Sequence, residues 1–418
     1  MSKQLELPES FVRFLEANDI DPSIYNEGDS LPRYVRLKPG FEDVVQEIES
    51  EINCKMEQLN WLPGFYSIPP HVHIARSKAY QQGKVRERES NQSSSILMSK
   101  PSLIPSSSLW DGLFQMYGID AASGAAVSAL GISPGDHVLD LCAAPGAKLC
   151  MMLDLLGDKG TATGVDVARH RLSACRTMLQ KYGLGERSRL FLADGTTFSL
   201  PPTTNLPCGS CDEETFKQWT SRRPYKERKQ VAKTRNNFVL PLHAHPEIVF
   251  YGHNSGVIGL PKKELFRPLD QNDCANRGYD KVLVDAECTH DGSIKHIQKF
   301  EQWGWTTLER RVLDAERTDT NLTALQLNLL RNGFRLLKQG GILVYSTCSL
   351  THAQNEDVVD QFLAESSSAE LQEIEMAKEW PCRSGRTPKT VRFDPSTSAT
   401  SGLFVAKIKK MAPEKNVL

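Results

Sequence analysis

No apolar run in the 418 residues approaches the roughly 20 that a membrane-spanning helix needs, so no membrane partner is expected. The first residues, MSKQLELPESFVRFLEAND, are acidic, with neither a signal-peptide core nor the Arg-rich, acid-poor character of a transit peptide. No leader is therefore expected. An excess of one charge is lacking too: the net charge is −1, which by itself announces no nucleic-acid partner. The 10 cysteines form no disulfide framework. Several sit inside apolar strand-like runs, which suits reduced thiols in a cytosolic or nuclear protein. There is no internal repeat, and nowhere the G-x-G-x-x-G that admits a dinucleotide pyrophosphate. What remains, 39% apolar and 24% charged, is ordinary globular composition, long enough for two domains or one with insertions.

Apolar residues at helical spacing mark residues 9–18 and 41–53, with the strand-like RYVRLKPG between them. These predict a small N-terminal α/β domain over residues 1–85. The Ser- and Pro-rich segment 86–108 reads as a linker. From 109 to 410 the order strand, helix, strand, helix, strand predicts an α/β, doubly wound, mostly parallel sheet. TVRFDP and SGLFVAKIKK close it as an antiparallel pair, and 411–418 form a tail. Residues 196–279 interrupt the pattern and read as an insertion. Within it, residues 217–235 are strongly basic with Trp219 and Tyr225 interleaved. That stretch is a nucleic-acid patch, an import signal or a solvated loop.

In an open parallel sheet, ligands bind outside the carboxyl ends of the strands. Small residues at Ala143, Ala144, Gly146 and Ala147 in HVLDLCAAPGAK admit a ligand to the backbone there, and Pro145 stiffens the turn. Asp166 follows the second strand and can accept both hydroxyls of a ribose. Asp194 follows the third and can meet an adenine edge. The occupant expected is a nucleoside cofactor without a phosphate cradle: S-adenosylmethionine rather than NAD.

Two thiols follow two further strands: Cys288 in VLVDAECTHDGS, preceded by Asp285, and Cys348 in LVYSTCSL. If those strands pair, their ends lie about 5 Å apart. A single such cysteine is most often a small buried hydrophobe, but a pair beside a carboxylate at the ligand edge suits covalent catalysis. A thiolate adding at carbon-6 of cytosine makes carbon-5 nucleophilic, and a protonated Asp285 would bond the ring nitrogen. Geometry alone leaves either thiol as the nucleophile. Ser346, Thr347 and Ser349 are expected to donate hydrogen bonds to Cys348. The charge of Glu287 is expected to hold the Cys288 thiol up, which favours ionisation of Cys348.

DLCAAPGAK, GVDVARHRL, VLVDAEC, VYSTCSL, NEDVV and SGLFVAKIKK together resemble the Sun-type S-adenosylmethionine-dependent RNA cytosine-5 methyltransferases, over about residues 30–410. The resemblance implies a Rossmann-like methyltransferase fold and an RNA-binding-like N-terminal domain. It also implies 5-methylcytosine formation in tRNA or rRNA, by a monomer. It assigns Cys348 as nucleophile, Cys288 to product release, and Asp285 to both catalysis and cofactor binding. Cofactor contacts carry over to Cys142, Ala143, Ala144, Pro145, Gly146, Ala147, Lys148, Asp166, Arg171 and Asp194. Glu287 stands where that family has proline, and Ala147 where it usually has a second glycine. Ala147 is acceptable if its φ is negative, as at a helix start. The competing readings are a degenerate RNA-binding scaffold and a protein or small-molecule methyltransferase. Cys208, Cys211, His243 and His245 make a poor zinc pattern because H-x-H is too tight, so no metal is expected. Trp303 and Trp305 are expected to pack rather than to stack on a base.

Overall fold

The computed structural model describes residues 6–27, 30–40, 42–72, 116–203, 215–219, 245–270, 274–308 and 321–412. Its centre is a ten-stranded sheet. Strands β5 (His137–Asp140), β6 (Thr161–Asp166), β7 (Ser188–Leu192), β9 (Tyr279–Asp285) and β10 (Leu337–Thr347) are mutually parallel, in the order β10-β9-β5-β6-β7. Every residue of β6 and β7 is buried, as both faces of the sheet are covered. Helices α3 (Ala121–Ala129), α4 (Ala147–Leu156) and α5 (Arg169–Lys181) pack on one face. Helices α6 (Leu322–Arg335) and α7 (Glu356–Glu365) pack on the other. This is the expected doubly wound architecture. Beyond β10 lies the antiparallel β14 (Leu403–Lys410), flanked by β11 (Ala369–Gln372) and by β13 (Val391–Phe393), which pairs with β12 (Arg383–Ser384).

The winding runs from β5 outward through β6 to β7, then returns to the other side of β5 for β9 and β10. The switch point therefore falls between β5 and β9, and their carboxyl ends open a crevice. At the far edge, β8 (Glu247–Tyr251) from the insertion pairs antiparallel with β7. Trp219 packs edge-on against Phe250 and Tyr251 of this strand, so it is a packing residue rather than part of a basic face. Residues 220–235 with Tyr225, and Cys208, Cys211 and His243, lie outside the described residues.

The N-terminal region divides its loyalties. A second, four-stranded sheet in the order β2-β3-β1-β4 has β1 (Arg33–Leu37) flanked by β3 (Phe65–Ile68) and β4 (Met116–Gly118), with β2 (Glu57–Gln58) outermost. Its last strand comes from beyond the expected linker. Helix α2 (Val45–Ile52) covers one face of this sheet. Helix α1 (Glu9–Ala17) instead buries Phe11 and Leu15 against Ile294, Ile297 and Phe300 of the larger unit. No helix among the described residues is long and apolar enough to cross a membrane.

Candidate active site

The loop after β5 turns on Gly146, whose φ of +114° favours glycine. A Cβ there would lie 2.9 Å from Cys175 Sγ, so the loop is pressed against α5. Ala147 opens α4 and does not take a positive φ, so it fits without a second glycine. Asp166 Oδ1 accepts from the Ala168 backbone N–H at 2.8 Å and Oδ2 from that of Ala144 at 3.3 Å. Arg171 lies 3.8 Å from the same carboxylate and donates to the Ala144 carbonyl at 2.8 Å. Asp194 Oδ1 accepts from the Thr196 backbone and hydroxyl, which fixes the carboxylate at the crevice.

A cavity of about 400 Å³ lies over these strand ends. It is walled by Cys142, Ala144, Lys148, Asp166, Arg171 and Asp194 on one side, and by Asp285, Glu287, His290 and Cys348 on the other. Of the expected cofactor positions, Ala143, Pro145, Gly146 and Ala147 shape the loop without lining the cavity. Lys148 Nζ donates to Asp285 Oδ2 at 2.7 Å, and Ser346 Oγ to Oδ1 at 2.8 Å. Burial works to lower the Lys148 pKa, but the Asp285 charge and hydrogen bond outweigh it and hold the ammonium. Asp285 is therefore one half of an ion pair rather than an isolated acid.

β9 and β10 pair in parallel with Asp285 opposite Ser346, which brings the two thiols together. Cys288 Sγ and Cys348 Sγ are 3.1 Å apart. Cys348 lines the cavity, whereas Cys288 is buried behind it. The hydroxyls expected to support Cys348 go elsewhere. Successive strand side chains alternate faces, so Ser346 bonds Asp285 while Thr347 bonds Asn355 at 2.6 Å, and Ser349 bonds Thr351. Asn355, from NEDVV, also donates to the carbonyls of Ser349 and Thr351 and so fixes the turn after Cys348.

The polar partner of the thiols is His290, which sequence reasoning missed. Its Nδ1 stands 2.9 Å from Cys348 Sγ and 3.7 Å from Cys288 Sγ. Burial alone would raise the Cys288 thiol, but hydrogen bonds from Cys348 and His290 draw it down to about 6. Glu287, exposed at the cavity mouth, does not hold Cys288 up as expected. Cys348, bonded to that charge and then desolvated in the cavity wall, is pushed well above the usual thiol range. The hydrogen bond to Cys288 raises His290 against the effect of burial. The first proton therefore leaves Cys288 rather than Cys348, the reverse of the expected order; at 3.1 Å the two sulfurs can pass the remaining proton between them, which brings the charge to Cys348 beside His290. The three ligand atoms of Cys288, His290 and Cys348 also lie within 4.8 Å of one another, close enough to hold a metal ion. The only sequence signal for His290 was its place two residues after Cys288.

The model of the family described as 16S rRNA methyltransferase RsmB/F matches residues 127–205 and 267–409, more than half of the chain. A mitochondrial tRNA (cytosine(34)-C(5))-methyltransferase of Danio rerio is 30% identical over 276 residues, 66% of this chain and 53% of the relative. A tRNA (cytosine(49)-C(5))-methyltransferase of Pyrococcus abyssi is 34% identical over 141 residues, 32% of this chain and 42% of that one. The chain thus spans about half the length of the curated relatives it matches. Among solved structures, a methyltransferase homologue from Pyrococcus horikoshii has a TM-score of 0.56 at 20% identity, covering 97% of this chain and 100% of that one. NSun6 from Pyrococcus horikoshii with SFG also has a TM-score of 0.56, at 17% identity, covering 97% and 99%. At these identities the likeness is one of fold alone. The family match goes further: the chain belongs to the RsmB/F family of 16S rRNA methyltransferases.

Proposed function

We propose that the protein transfers the methyl group of S-adenosylmethionine to carbon-5 of a cytosine in tRNA or rRNA, through a covalent adduct on Cys348. The observation that carries this reading is a thiol facing the same cavity as Asp166, backed at 3.1 Å by a second thiol. A methyltransferase acting on a protein or small molecule needs no such pair. The cradle suits the cofactor: Gly146 lets the loop turn tightly against α5, and Asp166 retains acceptor sites beyond its two backbone bonds for ribose hydroxyls. The cavity has the size of a small-molecule site. When bound, S-adenosylmethionine supplies an electrophilic methyl group.

Carbon-5 of cytosine is too poor in electrons to take that group directly. The Cys348 thiolate, supported by His290, adds at carbon-6 and turns the ring into an enamine with a nucleophilic carbon-5. Lys148 keeps a proton beside Asp285, where negative charge builds on the ring nitrogen. Once carbon-5 carries the methyl group, a base takes its proton, the carbon-6–sulfur bond breaks, and the thiolate is restored. Cys288, bonded to that sulfur, stabilises it as it leaves.

The test uses unmodified tRNA and small-subunit rRNA transcripts with radiolabelled S-adenosylmethionine. Cys348→Ala should abolish methyl transfer and leave no covalent RNA complex. Cys288→Ala should still attack and transfer but release slowly, so that adducts survive denaturing electrophoresis. Adducts from Cys348→Ala, with none from Cys288→Ala, would reverse the two roles. Methylation untouched by both changes would remove thiol catalysis altogether.

A further inference from the structure

Among the described residues, Trp303 is the most exposed large apolar side chain, at 50%. It was expected to pack, yet it ends a row of rings that starts at the thiols. The His290 ring lies 5.0 Å from that of His296, and His296 lies 5.8 Å from Trp303. Phe300, fully buried, supports both from beneath at 5.4 and 5.6 Å, edge-on to each. Lys299 Nζ stands 5.8 Å from the centre of the Trp303 ring, and Lys295 is exposed on the preceding turn. The row is backed by Ile294, Ile297 and Phe300 packed on Phe11 and Leu15 of α1, so it rests on a rigid base.

We propose that Trp303, with His296 and Lys299, is a stacking platform for the single-stranded RNA nucleotide next to the target cytosine. The inference rests on the reading above that the cavity takes a cytosine of RNA. Chemistry at carbon-5 requires the base to leave its stack, which strips its neighbour of a stacking partner. An exposed indole continuous with the thiol cavity through two imidazoles replaces that partner, and a flanking ammonium meets the phosphate. Stacking of this kind tolerates any base, so the platform positions the strand without dictating its sequence.

The experiment measures binding of a single-stranded RNA oligonucleotide with a central cytosine, and methylation kinetics on the same transcripts as above. Trp303→Ala should weaken RNA binding about 5- to 150-fold, the range for loss of one base–aromatic stack, and the kinetic loss should fall on KM rather than kcat. Trp303→Phe should recover most of it. Lys299→Gln should reduce the log–log salt slope of RNA binding by about one. Unchanged affinity for S-adenosylmethionine in each variant serves as the folding control. RNA affinity unaltered by Trp303→Ala would overturn the platform, as would a loss confined to kcat. An altered oligomeric state with RNA affinity intact would assign this face to a second copy of the chain and overturn it equally. A wild-type protein that binds RNA but methylates neither transcript would count against the reading above, while the binding comparison would still decide the platform.

Discussion

His290 adopts a φ of +59°, a left-handed conformation that non-glycine residues rarely take. The surrounding loop over-determines it. Asp291 accepts from the Thr289 hydroxyl and, at 2.6 Å, from the Leu350 backbone N–H, while its own carbonyl accepts from Tyr25 Oη at 2.7 Å. Strain held this way aims the imidazole at the thiols. With one proton of the pair lost near pH 6, thiolate is present well below the usual thiol range. Alkylation by iodoacetamide should therefore rise through about pH 6 and level off above it. His290→Asn keeps a residue that tolerates the left-handed conformation but removes the imidazole, so the midpoint should move upward toward an ordinary thiol. A midpoint that stayed put would mean that the thiols activate each other without His290. Cys288, Cys348, Asp285, Lys148 and Asp166 were legible in sequence because each sits where an apolar run or its following loop ends. His290 was not, because its aim depends on Tyr25 and Leu350, remote in the chain.

At the scale of elements, the loop after β9 and the turn after β10 are tied backbone to backbone. Gly292 N–H donates to the Cys348 carbonyl at 2.9 Å, and the Gly402 N–H donates to the Gly292 carbonyl at 2.8 Å. A Cβ on Gly292 would stand 2.6 Å from the Cys348 carbonyl oxygen, closer than backbone can yield without moving. Gly292→Ala should destabilise the protein by about 1–3 kcal/mol, the usual cost of forced overpacking, and push the two thiols apart. Urea unfolding gives the first quantity, and the midpoint of thiol alkylation reports the second. An unchanged midpoint in the folded variant would show that the thiols do not depend on this contact. The parallel strands and their order of helices were legible here, since buried runs alternating with amphipathic helices leave few topologies. The docking of α1 was not. An apolar stripe declares that a helix will be buried but does not name the surface that buries it.

For the whole molecule, a net charge of −1 conceals a concentration of acids at the strand ends around one cavity. Asp140, 1% exposed at the end of β5, bears a large part of the cost: burial first, then the charge of Asp285, push its carboxyl up to about 7. In the unfolded chain it returns to an ordinary value near 3.8. Between those two values the folded protein holds a proton that the unfolded chain has released. Its contribution to stability is therefore fully present below about pH 4, declines as pH rises, and is lost above about pH 7. At about 1.4 kcal/mol per pKa unit, the decline amounts to roughly 4 kcal/mol at most. Asp140→Asn keeps the oxygen that accepts from the Cys142 backbone N–H at 3.1 Å but carries no charge. Its stability relative to the wild type should therefore improve between pH 5 and pH 8, as read from urea unfolding at both. The difference between variant and wild type isolates this one group from all the others that titrate in that range. If that difference were the same at both pH values, Asp140 would already be charged at pH 5, and the lysine at the mouth of α4 would be neutralising more of the acidic cluster than its bond to Asp285 implies.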